Sequence, residues 1–281
     1  MKSICKLSIY LSISFILSSC VDEISNPSNF EPQVFISGFL TGGTEYVTIK
    51  IQRTVPVDEQ NLNPINDALI SLFTKDPNGS TELLTTSFNV DNGTYKSSEM
   101  ITSTIGNLYW IEITLADGTT FISDKEILKP AIIINDIVIT NETNRVIFSD
   151  PIDDYNFYLI NFLFIYDGDG DVNLKINELT NDVLFNGNDN ATFDTTDFFV
   201  YNPHEVRVNI SNLNYSTYQF YLNQFAQFEN QVNNVGSESG PGQLFLPPPA
   251  NLTGNIMNTS NNKRALGFFS VQSTTQFIKN Y

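Results

Sequence analysis

Apolar and polar residues alternate along most of residues 33–128, which is the period of a β-strand with one buried face. The clearest case runs from residue 47 to residue 52, where valine and isoleucine alternate with threonine, lysine and glutamine. Turn signals separate these segments, among them Asp91-Asn92-Gly93 and Asp117-Gly118. Short strands at this spacing predict an N-terminal immunoglobulin-like antiparallel sandwich over residues 31–128.

The same β pattern resumes after Pro130, with one interruption. From residue 215 to residue 232, aromatic residues and leucine recur at helical spacing among Gln, Asn and Glu, and Ser216 or Thr217 is placed to cap the start. We therefore predict a C-terminal β-rich domain over residues 131–281 with one amphipathic helix near 216–232, and a mainly β fold overall. The helical stripe predicted to face the core comprises Tyr218, Leu222, Phe225 and Phe228.

The first residues have the pattern of an export signal. Lys2 and Lys6 precede an apolar run from Leu7 to Leu17, which is too short to span a bilayer. Residues 1–19 are therefore predicted to be a signal peptide that is removed. The following residues, 20–32, are polar and contain Pro27 and Pro32, which is typical of a tether.

The signal ends in Leu17-Ser18-Ser19-Cys20, which has the pattern of a bacterial lipobox. In that chemistry the thiol of Cys20 is acylated and the chain is cut before it. The protein would then be held to a lipid bilayer by its N-terminal acyl chains, each buried CH₂ contributing about 0.8 kcal/mol. An ordinary signal peptide with an incidental cysteine is the alternative.

Composition narrows the partners further. The chain has a formal net charge of −17, and the predicted cleavage removes two of its lysines. Such a surface repels nucleic acid and anionic headgroups, so the anchor must be the lipid itself. Of the two cysteines, Cys5 leaves with the signal and Cys20 is acylated, so no thiol remains for a disulfide, a zinc site or a nucleophile.

One acidic loop has the spacing of a calcium ligand set. With Asp167 at position 1 of an EF-hand-like loop, three further acidic residues fall at positions 3, 5 and 12: Asp169, Asp171 and Glu178. Val172, however, stands at position 6, where that loop requires glycine. A calcium site and a solvated hairpin tip are both open interpretations, and no other cofactor is indicated.

Other catalytic or modification signals are weak. His204 is the only histidine, and no Gly-x-Ser-x-Gly elbow accompanies it, so we predict a protein that is not an enzyme. Thr195 follows Asp194 and precedes Thr196 in a segment that resembles the Asp-Ser/Thr-apolar acceptor of Bacteroidetes O-glycosylation. A polar loop is the alternative interpretation.

Several motifs, taken in order, resemble the Bacteroidetes lipoprotein family catalogued as domain of unknown function 4249. The resemblance covers about residues 20–278. After the lipid cysteine it rests on segments beginning at Ile36, Asp67, Gly93, Leu108, Leu184 and Pro249, and on the terminal Leu266-Gly267-Phe268-Phe269-Ser270.

The resemblance brings no catalytic residues with it. It implies a place at the outer membrane, often encoded beside a TonB-dependent transporter, a β-barrel. Asp22-Glu23, directly after the lipid cysteine, resembles the surface-export signal of such lipoproteins, although a solvated acidic linker has the same composition. We therefore expect a non-enzymatic accessory or binding lipoprotein at the outer membrane or cell surface. A carboxylate-dependent hydrolase of glycans or peptides and a purely structural or adhesive surface protein are the alternatives.

Overall fold

The structure is a computed structural model. It describes residues 30–56, 59, 61–140, 142–152, 155–166, 173–195, 203–235 and 252–281, and for residues 229–235 the backbone alone. Every helix and strand below lies in the compact unit Gln33–Tyr281. The predicted mainly β fold, with sandwich packing and one helix in the described part of the chain, is confirmed.

The first part of the chain forms short strands joined by tight turns. Asn92 and Gly93, at the predicted turn signal, have φ values of 46° and 74°, and this pair of positive angles joins two strands with the twist a hairpin requires. The strands are β1 Val34–Thr41, β2 Thr44–Glu45, β3 Thr48–Arg53, β4 Asn63–Pro64, β5 Leu69–Lys75, β6 Thr81–Thr85, β7 Phe88–Asp91, β8 Thr94–Ser97, β9 Ile101–Thr102, β10 Leu108–Thr114, β11 Thr120–Ser123 and β12 Glu126–Ile127.

The second part contains longer strands and the helix. Its elements are β13 Ile133–Ile139, β14 Asn144–Ser149, β15 Phe157–Ile165, β16 Leu174–Asn181, β17 Ala191–Thr195, β18 Glu205–Leu213, α1 Tyr215–Val235, β19 Thr253–Asn258 and β20 Lys263–Asn280. A 3-stranded sheet, β13-β14-β17, faces the sheet that contains β16, β15 and β18. The second core lies between these sheets and includes Val146, Phe148, Phe162 and Val208.

The first core lies inside a sheet that curls on itself in the order β6-β5-β10-β11-β19-β20-β1-β3-β8-β7. Ile49 and Ile51 of β3 and Ile111 of β10 are fully buried there, as their alternation predicts. Lys50, between the two isoleucines, is on the opposite face of β3. The alternation therefore assigns one face of the sheet to the core and leaves the other for a second layer.

The predicted division near residue 130 differs from the structure in one respect. Strand β19 pairs with β11, and residues 266–272 of β20 pair in parallel with residues 35–41 of β1. Residues 273–280 of the same strand then pair with β18 of the second sandwich. The strands at residues 253–272 thus complete the first sandwich, and one of its pairs is parallel. Alternation identifies a strand but does not identify its partner, which is why the sequence suggested a contiguous, antiparallel N-terminal domain.

Helix α1 covers the predicted segment but begins differently. The amide of Tyr218 donates to the carbonyl oxygen of Asn214 at 3.0 Å. The side chain of Asn214 donates to the carbonyl oxygens of Ile127 at 2.9 Å and Val271 at 3.2 Å. The prediction that Ser216 or Thr217 caps the helix is wrong, because both residues lie inside it, and the Ser216 hydroxyl donates to Glu126.

Glu126 holds the start of the helix against the first sandwich. Its Oε1 accepts a hydrogen bond from Ser216 Oγ at 2.6 Å and one from Asn255 Nδ2 at 3.2 Å. Burial raises the pKa of the Glu126 carboxyl, these two hydrogen bonds oppose the rise, and the charge of Asp124 adds to it. The carboxyl is therefore a buried acceptor that ties β12, α1 and β19 together.

Close backbone approach explains two glycines beside the parallel pair. A Cβ on Gly267, whose φ is +92°, would lie 2.0 Å from the carbonyl oxygen of Ile36. A Cβ on Gly254 would lie 1.8 Å from the carbonyl oxygen of Gly267. At this point Thr253 is the register partner of both Leu266 and Gly267, which marks a bulge. The backbones of β1, β19 and β20 therefore approach one another so closely at Gly254 and Gly267 that neither position can carry a side chain.

We predict that Gly267→Ala destabilises the protein by about 4 kcal/mol or more, because it adds a backbone collision to an unfavourable φ. Gly43→Ala is the matched control, since Gly43 also has a positive φ but has open space around its Cβ position. It should cost only about 1–2 kcal/mol. Denaturant unfolding of both variants provides the measurement, and equal losses would contradict the packing argument.

A second prediction follows from the raised pKa of Glu126. The Glu126 carboxyl holds its proton more tightly in the folded protein than in the unfolded chain. Protonated Glu126 therefore stabilises the fold at pH values below the ordinary pKa of a glutamate. That stabilisation is lost as the pH rises through the raised pKa of the folded state. Glu126→Gln removes the charge and keeps an acceptor oxygen, so it should flatten the fall in unfolding free energy towards neutral pH. Glu126→Ala should cost about 1–3 kcal/mol, because Ser216 and Asn255 lose their acceptor.

Denaturant unfolding across a pH series measures both effects. Glu82→Gln serves as the control, because Glu82 is exposed on β6 and should leave the pH profile unchanged. An E126Q protein with the same pH slope as the parent protein would show that Glu126 is not the group responsible.

Candidate functional site

The outer face of the first sandwich and helix α1 enclose a groove, which we call the helix–sheet groove. Residues of β1 alternate so that Ile36 and Leu40 are buried in the core while Phe35, Ser37 and Phe39 lie on the outer face. Phe39 is 47% exposed. The alternation of β1 therefore provides an apolar floor outside the sandwich core.

Strand register brings the neighbouring side chains onto the same floor. Ser37 is the partner of Lys50 in β3 and of Phe268 in β20. Phe39 is likewise the partner of Thr48 and Ser270. The floor is thus made of aromatic rings interspersed with hydroxyl groups and one ammonium group.

Helix α1 forms the wall of the groove. The ring of Phe220 packs on the ring of Phe268 with centroids 5.1 Å apart. Tyr221, Gln224 and Leu252 also line the space, which has a volume of about 290 Å³. Burial raises the pKa of Tyr221, so its hydroxyl stays protonated over the physiological range. The groove therefore offers neutral donors and acceptors beside apolar surface.

Lys50 is the charged residue among the described residues that line the groove, and none of those residues carries a carboxylate. All four arginines of the chain form ion pairs: Arg53 with Asp117, Arg145 with Asp194, Arg207 with Glu205 and Arg264 with Asp124. No ion pair joins Lys50 to a carboxylate within the described ranges. In a protein with an excess of acidic residues, the ammonium group of Lys50 therefore lies beside the apolar groove without a carboxylate partner among the described residues.

The helix presents a different stripe to the protein from the predicted one. Tyr218 is buried and its ring lies 4.9 Å from that of Phe157, as the helical spacing suggested. Leu222 and Phe228, however, are 38% and 64% exposed, which corrects the prediction that they face the core. Aromatic residues occur on several sides of this helix, so spacing alone could not select the packed side, and Phe220 was missed.

The hollow beside Arg53 contains two carboxyl groups, from Asp67 and Asp117, and has a volume of about 480 Å³. Hydrogen bonds from Thr119 lower the pKa of Asp117, and Arg53, 3.7 Å away, lowers it further. A glycosidase general acid needs a carboxyl whose pKa is raised. The lowered pKa of Asp117 is therefore opposite to the shift that an acid catalyst requires.

A buried acidic cluster lies at one end of the second sandwich. Asp150 accepts hydrogen bonds from the hydroxyl of Tyr158 and from the amide of Gly187, the latter at 2.8 Å. Asp182 accepts from the amide of Asn156 at 2.7 Å. Burial raises the pKa values of Asp150 and Tyr158. These hydrogen bonds hold the loops that follow β14 and β16 in place, so we assign the cluster a role in stabilising the fold.

Of the four predicted calcium ligands, Glu178 is the one that lies within the described residues. Asp167, Asp169 and Asp171 lie outside the described residues, as does Cys20. Glu178 lies on β16, and its Oε1 accepts a hydrogen bond from Thr195 at 3.3 Å. Across the described ranges, no cluster of three or more His, Cys, Asp or Glu side chains has the arrangement of a metal site. Calcium binding by the acidic loop stays a prediction.

Thr195, the predicted glycosylation site, ends strand β17. The residue is 3% exposed and its hydroxyl donates to Glu178. Attachment of a glycan to this hydroxyl would require the strand end to open. Modification of Thr195 stays a prediction, and the burial of this residue would oppose it in the folded protein.

No helix in the described ranges combines the length and the apolar character that crossing a bilayer requires. Helix α1 has Gln, Asn and Glu between its aromatic residues and packs against β15, β16, β19 and β20. Its role in the fold is therefore that of a layer over the sheets.

Solved structures similar to this chain resemble it only weakly. Trypsin-activated alpha-2-macroglobulin from Escherichia coli is 12% identical over 66% of this chain and 15% of that chain, with a TM-score of 0.22. The FN1-FN3 domains of chicken CNTN1 are 12% identical over 64% of this chain and 60% of that chain, with a TM-score of 0.23. The chain spans less than two thirds of either structure, and scores at this level carry no argument. No curated protein matches the sequence.

The family comparison covers far more of the chain. The model described as "Domain of unknown function (DUF4249)" matches residues 21–278. That range contains helix α1, the groove residues that the structure describes, and both sandwiches except the last two residues of β20. The chain therefore belongs to the DUF4249 family.

Proposed function

We propose that this protein is a non-enzymatic binding lipoprotein of the bacterial outer membrane, of the Bacteroidetes lipoprotein type, exposed at the cell surface. The observation that carries the binding role is the helix–sheet groove, an apolar concave site with convergent polar groups. Within the described lining, Lys50 and the uncharged wall residues Tyr221 and Gln224 provide contacts for a ligand but do not form a paired acid and base. The site therefore suits recognition.

The proposed location rests on the N-terminal sequence. Leu17-Ser18-Ser19-Cys20 provides the acylation pattern, and Asp22-Glu23 provides the surface-export pattern. A net charge of −17 gives no attraction to anionic headgroups, so attachment would depend on the acyl chains. The body of the protein would then be free to face outwards or towards a neighbouring membrane protein.

The proposed partner is a TonB-dependent transporter. This part rests on the resemblance to the lipoprotein family whose members are often encoded beside such transporters, which is an associational argument. A lipid anchor confines the protein to the plane of the membrane, where even a weak contact with a barrel benefits from a high effective concentration. The protein would deliver or retain a ligand at the mouth of the barrel.

Acylation predicts a clear difference between the two cysteines. Cys20→Ser should abolish labelling by an alkyne analogue of palmitate and move the protein from the membrane fraction to the soluble fraction. Cys5→Ser is the matched control, because Cys5 lies within the predicted signal and should leave both properties unchanged. Persistent labelling of the Cys20→Ser protein would disprove the anchor.

Association with a transporter predicts recovery of a β-barrel with the acylated protein after extraction in mild detergent. Mass spectrometry of the captured material identifies the partner, and capture through an unrelated outer-membrane lipoprotein is the control. Protease digestion of the protein on intact cells reports the leaflet. Captured material without any barrel would overturn the proposed partner, and protection from the protease would overturn the surface location.

A further inference from the structure

The lining of the helix–sheet groove separates into an apolar part and a single charged point. The apolar part comprises Phe35, Phe39, Phe220, Leu252 and Phe268. Lys50 lies on the floor beside the hydroxyl groups of Ser37 and Thr48. A ligand that fits both parts has one anionic group and one apolar body.

The size of the groove limits that ligand. Its volume of about 290 Å³ falls near the lower end of the range for small-molecule sites, roughly 300–1,000 Å³. A folded partner could insert only a side chain into this space, whereas a single alkyl chain would fill it. Each CH₂ placed against the phenylalanine rings contributes about 0.8 kcal/mol, so a short chain suffices for measurable binding.

The positive charge of Lys50 in the groove indicates which polar group the ligand carries. An ammonium group next to apolar surface interacts strongly with a carboxylate, because water is partly excluded there. Among the lining residues that the structure describes, no carboxylate competes for Lys50, and the chain as a whole is strongly acidic. An alkyl cation would gain nothing at Lys50 and an alkyl alcohol would gain little.

We propose that the helix–sheet groove binds the carboxylate of a short free fatty acid, with the carboxylate at Lys50 and the alkyl chain over Phe39 and Phe268. This inference rests on the proposed binding function and adds the chemical class of the ligand. The occupant is a free alkyl carboxylate, as the volume and the single cation indicate.

Octanoate is the probe. Isothermal titration uses the acylated protein in phospholipid nanodiscs, and the heat measured with empty nanodiscs is subtracted. We expect octanoate to bind, and octylammonium and octanol to bind at least about ten-fold more weakly, the factor that one charge-assisted hydrogen bond contributes. Equal binding of the three compounds would overturn the inference, as would absence of octanoate binding.

Two variants place the ligand. Lys50→Met should weaken octanoate binding about ten-fold or more, while Lys263→Met, at the start of β20 and outside the groove, should leave it unchanged. Phe39→Ala should also weaken binding, and because Phe39 is already half exposed, the fold should survive, which a thermal melt verifies. If neither Lys50→Met nor Phe39→Ala changes the affinity for octanoate, the ligand binds elsewhere and the proposal is wrong.

The outcomes separate this inference from the proposed function. A protein that captures a barrel but does not bind octanoate would refute the ligand class and leave the transporter association standing. Octanoate binding without a barrel partner would support the ligand class and refute the transporter association. If sedimentation instead shows a concentration-dependent dimer that Phe39→Ala abolishes, the occupant of the groove is a second copy of the chain, and the inference is wrong.

Discussion

Both sandwiches depend on the backbone hydrogen bonds of one strand, β20. Its first half lies beside β1 and its second half lies beside β18, so a continuous ladder crosses from one core to the other. Side chains fasten the crossing point, where Asn212 donates to the carbonyl oxygen of Pro130 at 3.1 Å and the Ser273 hydroxyl donates to that of Lys129. Buried backbone groups must keep partners, so neither sandwich can release this strand without a large loss of stability in the other.

The groove is a consequence of that arrangement. The chain leaves the second sandwich after β18, forms α1, adds β19 to the first sandwich and returns through β20. Helix α1 must therefore begin at the junction, where Asn214 and Glu126 hold its first turn. From that fixed start it packs against β19 and β20, and its residues Phe220, Tyr221 and Gln224 line the groove together with residues of β1. Helix α1 therefore forms the wall of the helix–sheet groove, and the shared strand β20 forms part of its floor.

The sequence predicted elements better than partners. Alternation located β3 and β10 and their buried faces, the Asn92-Gly93 signal located a hairpin, and helical spacing located α1. Pairing of β20 with β1 joins residues more than two hundred positions apart, and no local pattern encodes that contact. Phe220 and Lys50 were missed as site residues for the same reason, since a lysine on a polar face and a phenylalanine in an aromatic-rich helix are ordinary until the helix covers the sheet.

The acidic character of the whole chain affects how Lys50, which has no ion-pair partner among the described residues, can act. A surface charge of this sign repels anions at long range, and this repulsion is screened beyond about 8–10 Å at physiological salt. Inside the groove, apolar walls reduce screening and Lys50 dominates at short range. An anion therefore gains from Lys50 only after its apolar part has entered beside Phe39 and Phe268. Small hydrophilic anions are thereby disfavoured, and recognition requires the apolar and the charged contacts together.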